Sequence, residues 1–252
     1  MMNDPAIDNL VAQNLTLWHN RQSYVQNPNL FNGLSSAIPV CWFGDLDSSK
    51  PKILTIGANP SSKEFIGYKG LSRFNNVTAH SSVNSIENSY NAYFKTFPYK
   101  KWFDRIDLLL NKFNASYYDT HPIIAVHLDV VSLPTYKSSA LRPEKRLITA
   151  GSALSRQLLD HLIKNYNIQK IVITGGYNYN MFINLYGVNV KTTYKLPYSF
   201  SKSLITRNYN FVNGCYQGVP FYGTSIYLPN VFFSINHQQL YHNMTMNIPT
   251  CP

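Results

Sequence analysis

Residues 53–65 read ILTIGANPSSKEF, and the parsing of this stretch decides the architecture of the chain. Ile53, Leu54, Thr55 and Ile56 form a largely β-branched apolar run, which suits a strand buried on both faces. Gly57, Ala58, Asn59 and Pro60 end the run, and two serines follow. Gly, Asn and Pro stop strands wherever they cluster, so one reading of the turn is purely structural. The other places Asn59 at the carboxyl end of a strand, where α/β proteins hold their ligands.

Working outward, three more apolar runs have the same character: 123–131 (IIAVHLDVV), 170–174 (KIVIT) and 231–235 (VFFSI). Helical periodicity separates them. Residues 100–113 set Trp102, Phe103, Ile106, Leu109, Leu110 and Phe113 on one face, and residues 144–164 do the same with Leu147, Ile148, Leu154, Leu158, Leu159 and Leu162. A third helix is expected after Gly175-Gly176, through Met181, Phe182 and Leu185, and a fourth over Ala6–Trp18. Strands alternating with helices predict an α/β fold: a three-layer αβα sandwich around a mostly parallel four-stranded sheet. With no internal repeat or low-complexity linker, residues 1–252 are expected to form a single domain. Residues 61–99 read as a long polar connection. Residues 187–230 read as a loop-rich, aromatic and basic insertion with a hairpin turn at Asn213-Gly214.

The balance of 22 Lys and Arg against 12 Asp and Glu, a net charge of +10, points to a polyanionic partner, nucleic acid before membrane surface. Nineteen tyrosines, many near basic residues, suit stacking on bases. Cys41, Cys215 and Cys251 are odd in number and far apart, so neither a zinc pattern nor a disulfide framework is expected, and a reducing cytoplasm is. The segment MMNDPAIDNL lacks the features of a signal peptide, and no run approaches a membrane span. His237 and His242 have no acidic or Cys neighbours, so no metal is expected.

The polar groups at the strand ends make a short set. Asn59 follows the first strand, His127 and Asp129 interrupt the second, Gly175-Gly176 follows the third, and Asn236-His237-Gln238-Gln239 follows the last. A buried Asp among Val and Leu is costly without partners, so Asp129 needs a reason. In this order the chain resembles the uracil-DNA glycosylase superfamily over about residues 38–240. GANPS (57–61) is similar to the motif in which an Asn occupies this position. GLSRF (70–74) looks like the segment supplying the aromatic that stacks on the flipped base, KIVITGGYNYN (170–180) resembles the third-strand motif, and SINHQQL (234–240) sits where members carry a His loop. The Pro and Ser usually found after that His are absent, as is an iron–sulfur set of cysteines.

The resemblance implies hydrolysis of an N-glycosidic bond in DNA, with no cofactor, no obligatory protein partner and a monomeric chain. Asn59 would position water, and His237 would donate a hydrogen bond to the departing base. Gly57, Ala58, Phe74 and Asp129 would hold that base. Ser61, Lys63 and Gln238 flank these motifs as candidate DNA contacts. Lys191, Lys195, Lys202 and Arg207, interleaved with tyrosines, are either DNA contacts or a solvated face. Asp129 stands where relatives carry a uracil-reading Asn. A carboxylate only accepts hydrogen bonds, which favours the exocyclic amine of cytosine over the O4 of uracil. A modified cytosine, hydroxymethylated or glucosylated as in some phage DNA, is therefore the expected substrate, with repair and antiviral defence both open as the role. Uracil or mismatch excision in repair, a DNA-binding module without catalysis, and a nucleoside hydrolase are the alternatives. Asp129 pairing with Arg142 or Arg146, Phe74 as a core residue and His127 as a core histidine are the structural counterparts.

Overall fold

The computed structural model describes residues 4–65, 73–74, 77–199, 206–228, 236–247 and 249–251. Its elements follow in the order α1 (Pro5–His19), β1 (Lys52–Gly57), α2 (Val83–Asn91), α3 (Lys100–Leu110), β2 (Ala115–Ser116), β3 (Ile123–Asp129), α4 (Lys145–Asn165), β4 (Ile168–Thr174), α5 (Gly176–Tyr186), β5 (Asn189–Ser199), β6 (Thr206–Tyr216), β7 (Val219–Thr224) and α6 (His237–Thr245). The strands form one mixed sheet in the order β2-β3-β1-β4-β7-β6-β5. β1 pairs parallel with β4, β4 with β7, and β2 with β3. β7 and β6, and β6 and β5, are antiparallel.

The α/β class follows from the sequence, and the expected strands at 53–57, 123–131 and 170–174 are β1, β3 and β4. The strand count does not: among the described residues the sheet has seven strands and is mixed, where four mostly parallel ones are expected. The run 231–235 lies outside the described residues, and the parallel neighbour of β4 on the side away from β1 is β7, Val219–Thr224. The polar connection 61–99 contains α2. The described part of residues 187–230 is not loop-rich, for it supplies the 11-residue strands β5 and β6 and then β7.

Asn213-Gly214 is not a turn but lies within β6, where Asn213 pairs with Tyr222 and Gly214 with Phe221. The tight turn falls at Gln217-Gly218, both at positive φ (50° and 78°), as a two-residue hairpin requires. Cys215 and Cys251 form a disulfide, against the expectation of none. The separation of 36 residues in sequence hides the fact that β6 and the C-terminal segment meet. That pairing removes the ground for a reducing compartment. Among the described residues, no helix is long and apolar enough to cross a membrane.

The chain divides into two compact units, and β1 and β3 pass from one to the other. The first comprises residues 1–49, 57–99 and 126–165. In it α1 packs on α2 and α4. Asp4 caps α1 by accepting from the amides of Ala6 and Ile7, and its other oxygen lies 2.7 Å from His161 Nε2 on α4. Glu144, just before α4, is buried and accepts from the amides of Gln26 (2.7 Å) and Asn27 (3.1 Å). The second unit comprises residues 50–56, 100–125 and 166–252. Its α6 packs on β6, β7 and α3, and α5 on β4 and β7.

Gly214 lies so close to its neighbours that a methyl there would overlap the Asn189 carbonyl and press on the Phe221 ring. Gly214→Ala is therefore expected to destabilise the chain by about 1–3 kcal/mol, read as a lower urea midpoint at unchanged slope. A midpoint equal to wild type would contradict the placement of Gly214 within β6.

Candidate functional site

Beyond its last residue β1 stays tied to the chain that continues from β3. The amides of Val130 and Val131 donate to the carbonyls of Gly57 and Ala58, each at 3.0 Å, and Ser61 bridges Thr135. The GANPS turn is thus held by main-chain bonds on both sides and is not a free loop. His127 and Asp129, two apart on β3, share one face, and His127 Nε2 lies 3.4 Å from Asp129 Oδ1. Both face Gly57, where an added methyl would overlap Asp129 Oδ1 and sit 2.9 Å from His127 Nε2. Glycine is required here because a carboxylate and an imidazole are packed against the backbone.

Asn59 is 9 % exposed. Its Nδ2 donates to the Pro60 carbonyl (3.1 Å) and to Thr135 Oγ1 (2.8 Å), and Thr135 Oγ1 in turn donates to the Lys137 carbonyl at 3.0 Å. A carbonyl can only accept, so the amide orientation is fixed by chemistry. Its Oδ1 is buried and has no hydrogen-bond partner. Buried polar atoms without partners are uncommon and ask for an explanation.

Glu64, on the short turn of helix Ser62–Glu64 capped by Ser61, is buried at 4 % exposure. The Tyr93 phenol donates to its Oε2, and Tyr93 itself accepts from the Tyr99 amide at 2.9 Å. Burial pushes the Glu64 carboxyl up to about 8, and the neighbouring Asp129 pushes it the same way, against the Tyr93 hydrogen bond and the Arg73 charge. At neutral pH Glu64 is therefore largely a neutral acid, able to donate as well as accept.

The structure thus brings together Gly57, Ala58, Asn59 and Asp129 in the first unit and adds His127, Glu64 and Thr135. Asp129 lies against His127 on its own strand. His127 is a buried core histidine against Phe43, as its apolar strand suggests. Phe74 requires a correction: it is 0 % exposed, stacked on Phe65 at 5.4 Å and packed against Tyr93 at 5.1 Å, so its ring belongs to the aromatic core and offers no open face. Ser61 is half-buried and Lys63 is exposed.

His237 and Gln238 belong to the second unit, in the first turn of α6, with Asn236 Oδ1 capping the helix at Gln239 N. Lys191 and Lys195 on β5 and Arg207 on β6 are exposed. Arg207 pairs with Tyr198 and Lys195 with Asn210, so Lys195 and Arg207 lie on opposite faces of the β5–β6 ribbon and form no single patch. Lys202 lies outside the described residues.

Sequence reasoning missed Glu64, Tyr93 and Thr135. Glu64 stands within the opening stretch, five residues after Asn59, but nothing local marks an acid for burial. The chain matches no protein-family model and no curated protein.

The raised Glu64 carboxyl has a consequence for stability. The folded chain holds a proton there that the unfolded chain releases above its ordinary value of 4.5. Its contribution is therefore full below that value and is lost as pH rises through about 8. Glu64→Gln keeps an acceptor for Tyr93 and cannot ionise. Its Tm is expected to match wild type near pH 5 and to exceed it near pH 8.5, by about 2–4 °C for each kcal/mol gained. A variant that loses stability relative to wild type over that interval would contradict the assignment.

Proposed function

We propose that this chain is a DNA glycosylase that hydrolyses the N-glycosidic bond of a flipped-out base and leaves an abasic site. The observation that carries this reading is Asn59 Oδ1, buried and uncommitted at the end of β1 while the rest of its amide is tied down. Such an oxygen suits a water held for attack. It is too weak a base to ionise that water early, which fits a reaction whose sugar is already oxocarbenium-like when water adds. The C1′–N bond breaks, its electron pair leaves with the base, and water forms the new C1′–O bond and gives its proton to solvent. The released base takes up a proton from solvent.

The two carboxyl groups support cytosine as the parent base. Asp129 can accept from an exocyclic amine, and a neutral Glu64 can donate to a ring nitrogen acceptor. Uracil presents the opposite pattern, a carbonyl and an N–H. Because excision of ordinary cytosine would destroy the host genome, a modified cytosine in foreign DNA is the substrate this reading favours. The net charge of +10 supports a polymeric anion as the partner. Flipping a base costs a few kcal/mol, which contacts to the strand must offset.

The test is base release, read by mass spectrometry together with alkali-labile strand breaks, from DNA carrying 5-hydroxymethylcytosine, its glucosylated form, uracil or a thymine mismatch. Wild type is expected to release the modified cytosine. Asn59→Ala should lower the rate by about 100-fold or more with DNA binding retained, and Asp129→Asn should shift preference towards uracil. Release of uracil alone by wild type would overturn the substrate, and release of no base from any of these would overturn the enzyme.

A further inference from the structure

The first unit carries two exposed aromatic rings on anchored backbone. Tyr136 immediately follows Thr135, the partner of Asn59, and is 54 % exposed. Its amide donates to the Leu30 carbonyl at 2.9 Å and its carbonyl accepts from Ser62 Oγ at 3.3 Å, so the ring stands on a fixed main chain. Phe97 is 47 % exposed. Arg73 holds its loop by donating from Nη1 to the carbonyls of Phe97 (3.2 Å) and Pro98 (3.1 Å) and from Nε to that of Lys63 (3.0 Å).

Each ring also has a cation over one of its faces. The Arg73 guanidinium lies 4.5 Å from the Phe97 ring centre, and Lys137 Nζ lies 5.4 Å from that of Tyr136. Lys63 Nζ, 5.7 Å from the Tyr99 ring, stands between them in the run of contacts from Ser62 to Arg73. Single exposed aromatics are ordinary on protein surfaces. Two of them, on anchored main chain, each paired with a positive charge and joined through one run of contacts, form a pattern with a specific complement.

We propose that the strip formed by Phe97, Arg73, Tyr99, Lys63, Tyr136 and Lys137 binds single-stranded DNA. It rests on the glycosylase reading for its polymer and adds the form of strand on which that site acts. Ring faces take bases only where bases are unstacked, which a duplex does not allow, whereas cations at intervals follow the phosphates. A duplex would use the cations and leave both rings idle. The strip starts one residue from Thr135, whose hydroxyl accepts from the Asn59 amide.

The experiment is fluorescence anisotropy with an unmodified, labelled oligothymidylate of about 20 nucleotides, competed by a duplex and by an oligouridylate of equal length. Binding of unmodified DNA involves no excision, so this readout is separate from base release. The expected result is preference for the single DNA strand over the duplex by about tenfold or more, with about tenfold weakening on Phe97→Ala and again on Tyr136→Ala. Lys63→Ala with Lys137→Ala should flatten the salt dependence by about 1.4 in its logarithmic slope. Thermal melts of these surface variants should match wild type, which separates lost contacts from lost fold. Equal affinity for the duplex, tighter binding of the RNA strand, or ring variants that bind like wild type would each overturn the proposal. Loss of base release with strand binding intact would count against the glycosylase reading alone.

Discussion

Much of this structure depends on the packing of Asp129 and His127 against the bare backbone at Gly57. A carboxyl group buried on an otherwise largely apolar strand is tolerated only with a polar partner at hand, and His127 supplies one at 3.4 Å. With no side chain on Gly57, both groups sit directly against the end of β1. The same closeness lets Val130 and Val131 continue the main-chain pairing to Gly57 and Ala58. The pairing holds the turn that displays Asn59. Any residue larger than glycine at 57 would push these groups apart and loosen all of them together.

The electrostatic design has two layers of opposite character. The chain as a whole carries +10, and the exposed strip in the first unit is basic and aromatic. The buried centre instead holds Asp129, an unpartnered amide oxygen and a carboxyl raised by burial to about 8. A phosphate is drawn to the first layer and repelled by the second. An uncharged group rich in hydrogen-bond donors is suited to the second. Under the proposed function, that division suits a polymer whose backbone stays at the surface while one neutral unit enters the centre.

How much of this was legible follows from what local sequence encodes. The buried parallel strands were legible because β-branched runs such as ILTI and IVIT need no partner information to be read. Asn59 and Asp129 were legible as polar interruptions at the ends of those runs. The hairpin of β5 and β6 was not, because one face is solvated and its Lys, Thr and Asn residues read as loop. Asn213-Gly214 has the composition of a turn. In the fold Asn213 instead donates to the carbonyls of Met244 (2.9 Å) and Asn247 (2.7 Å), and Gly214 admits a close strand neighbour. Both reasons are tertiary. Glu64 and the Cys215–Cys251 disulfide were hidden for the same cause, since burial and proximity are properties of the folded chain. Phe74 carried a motif-like context, yet Phe65, Tyr90 and Tyr93 enclose it.

The central claim is that the ends of β1 and β3 form a centre that takes a cytosine-type base through Asn59, Asp129 and Glu64. The most direct measurement is NMR of the free protein titrated with 5-hydroxymethylcytosine as the free base. It would follow the Asn59 side-chain amide and the labelled Glu64 and Asp129 carboxyl carbons. The account predicts that all three resonances move together with one affinity, and that uracil at the same concentrations leaves them in place. Shifts confined to other residues, or equal shifts with both bases, would contradict it.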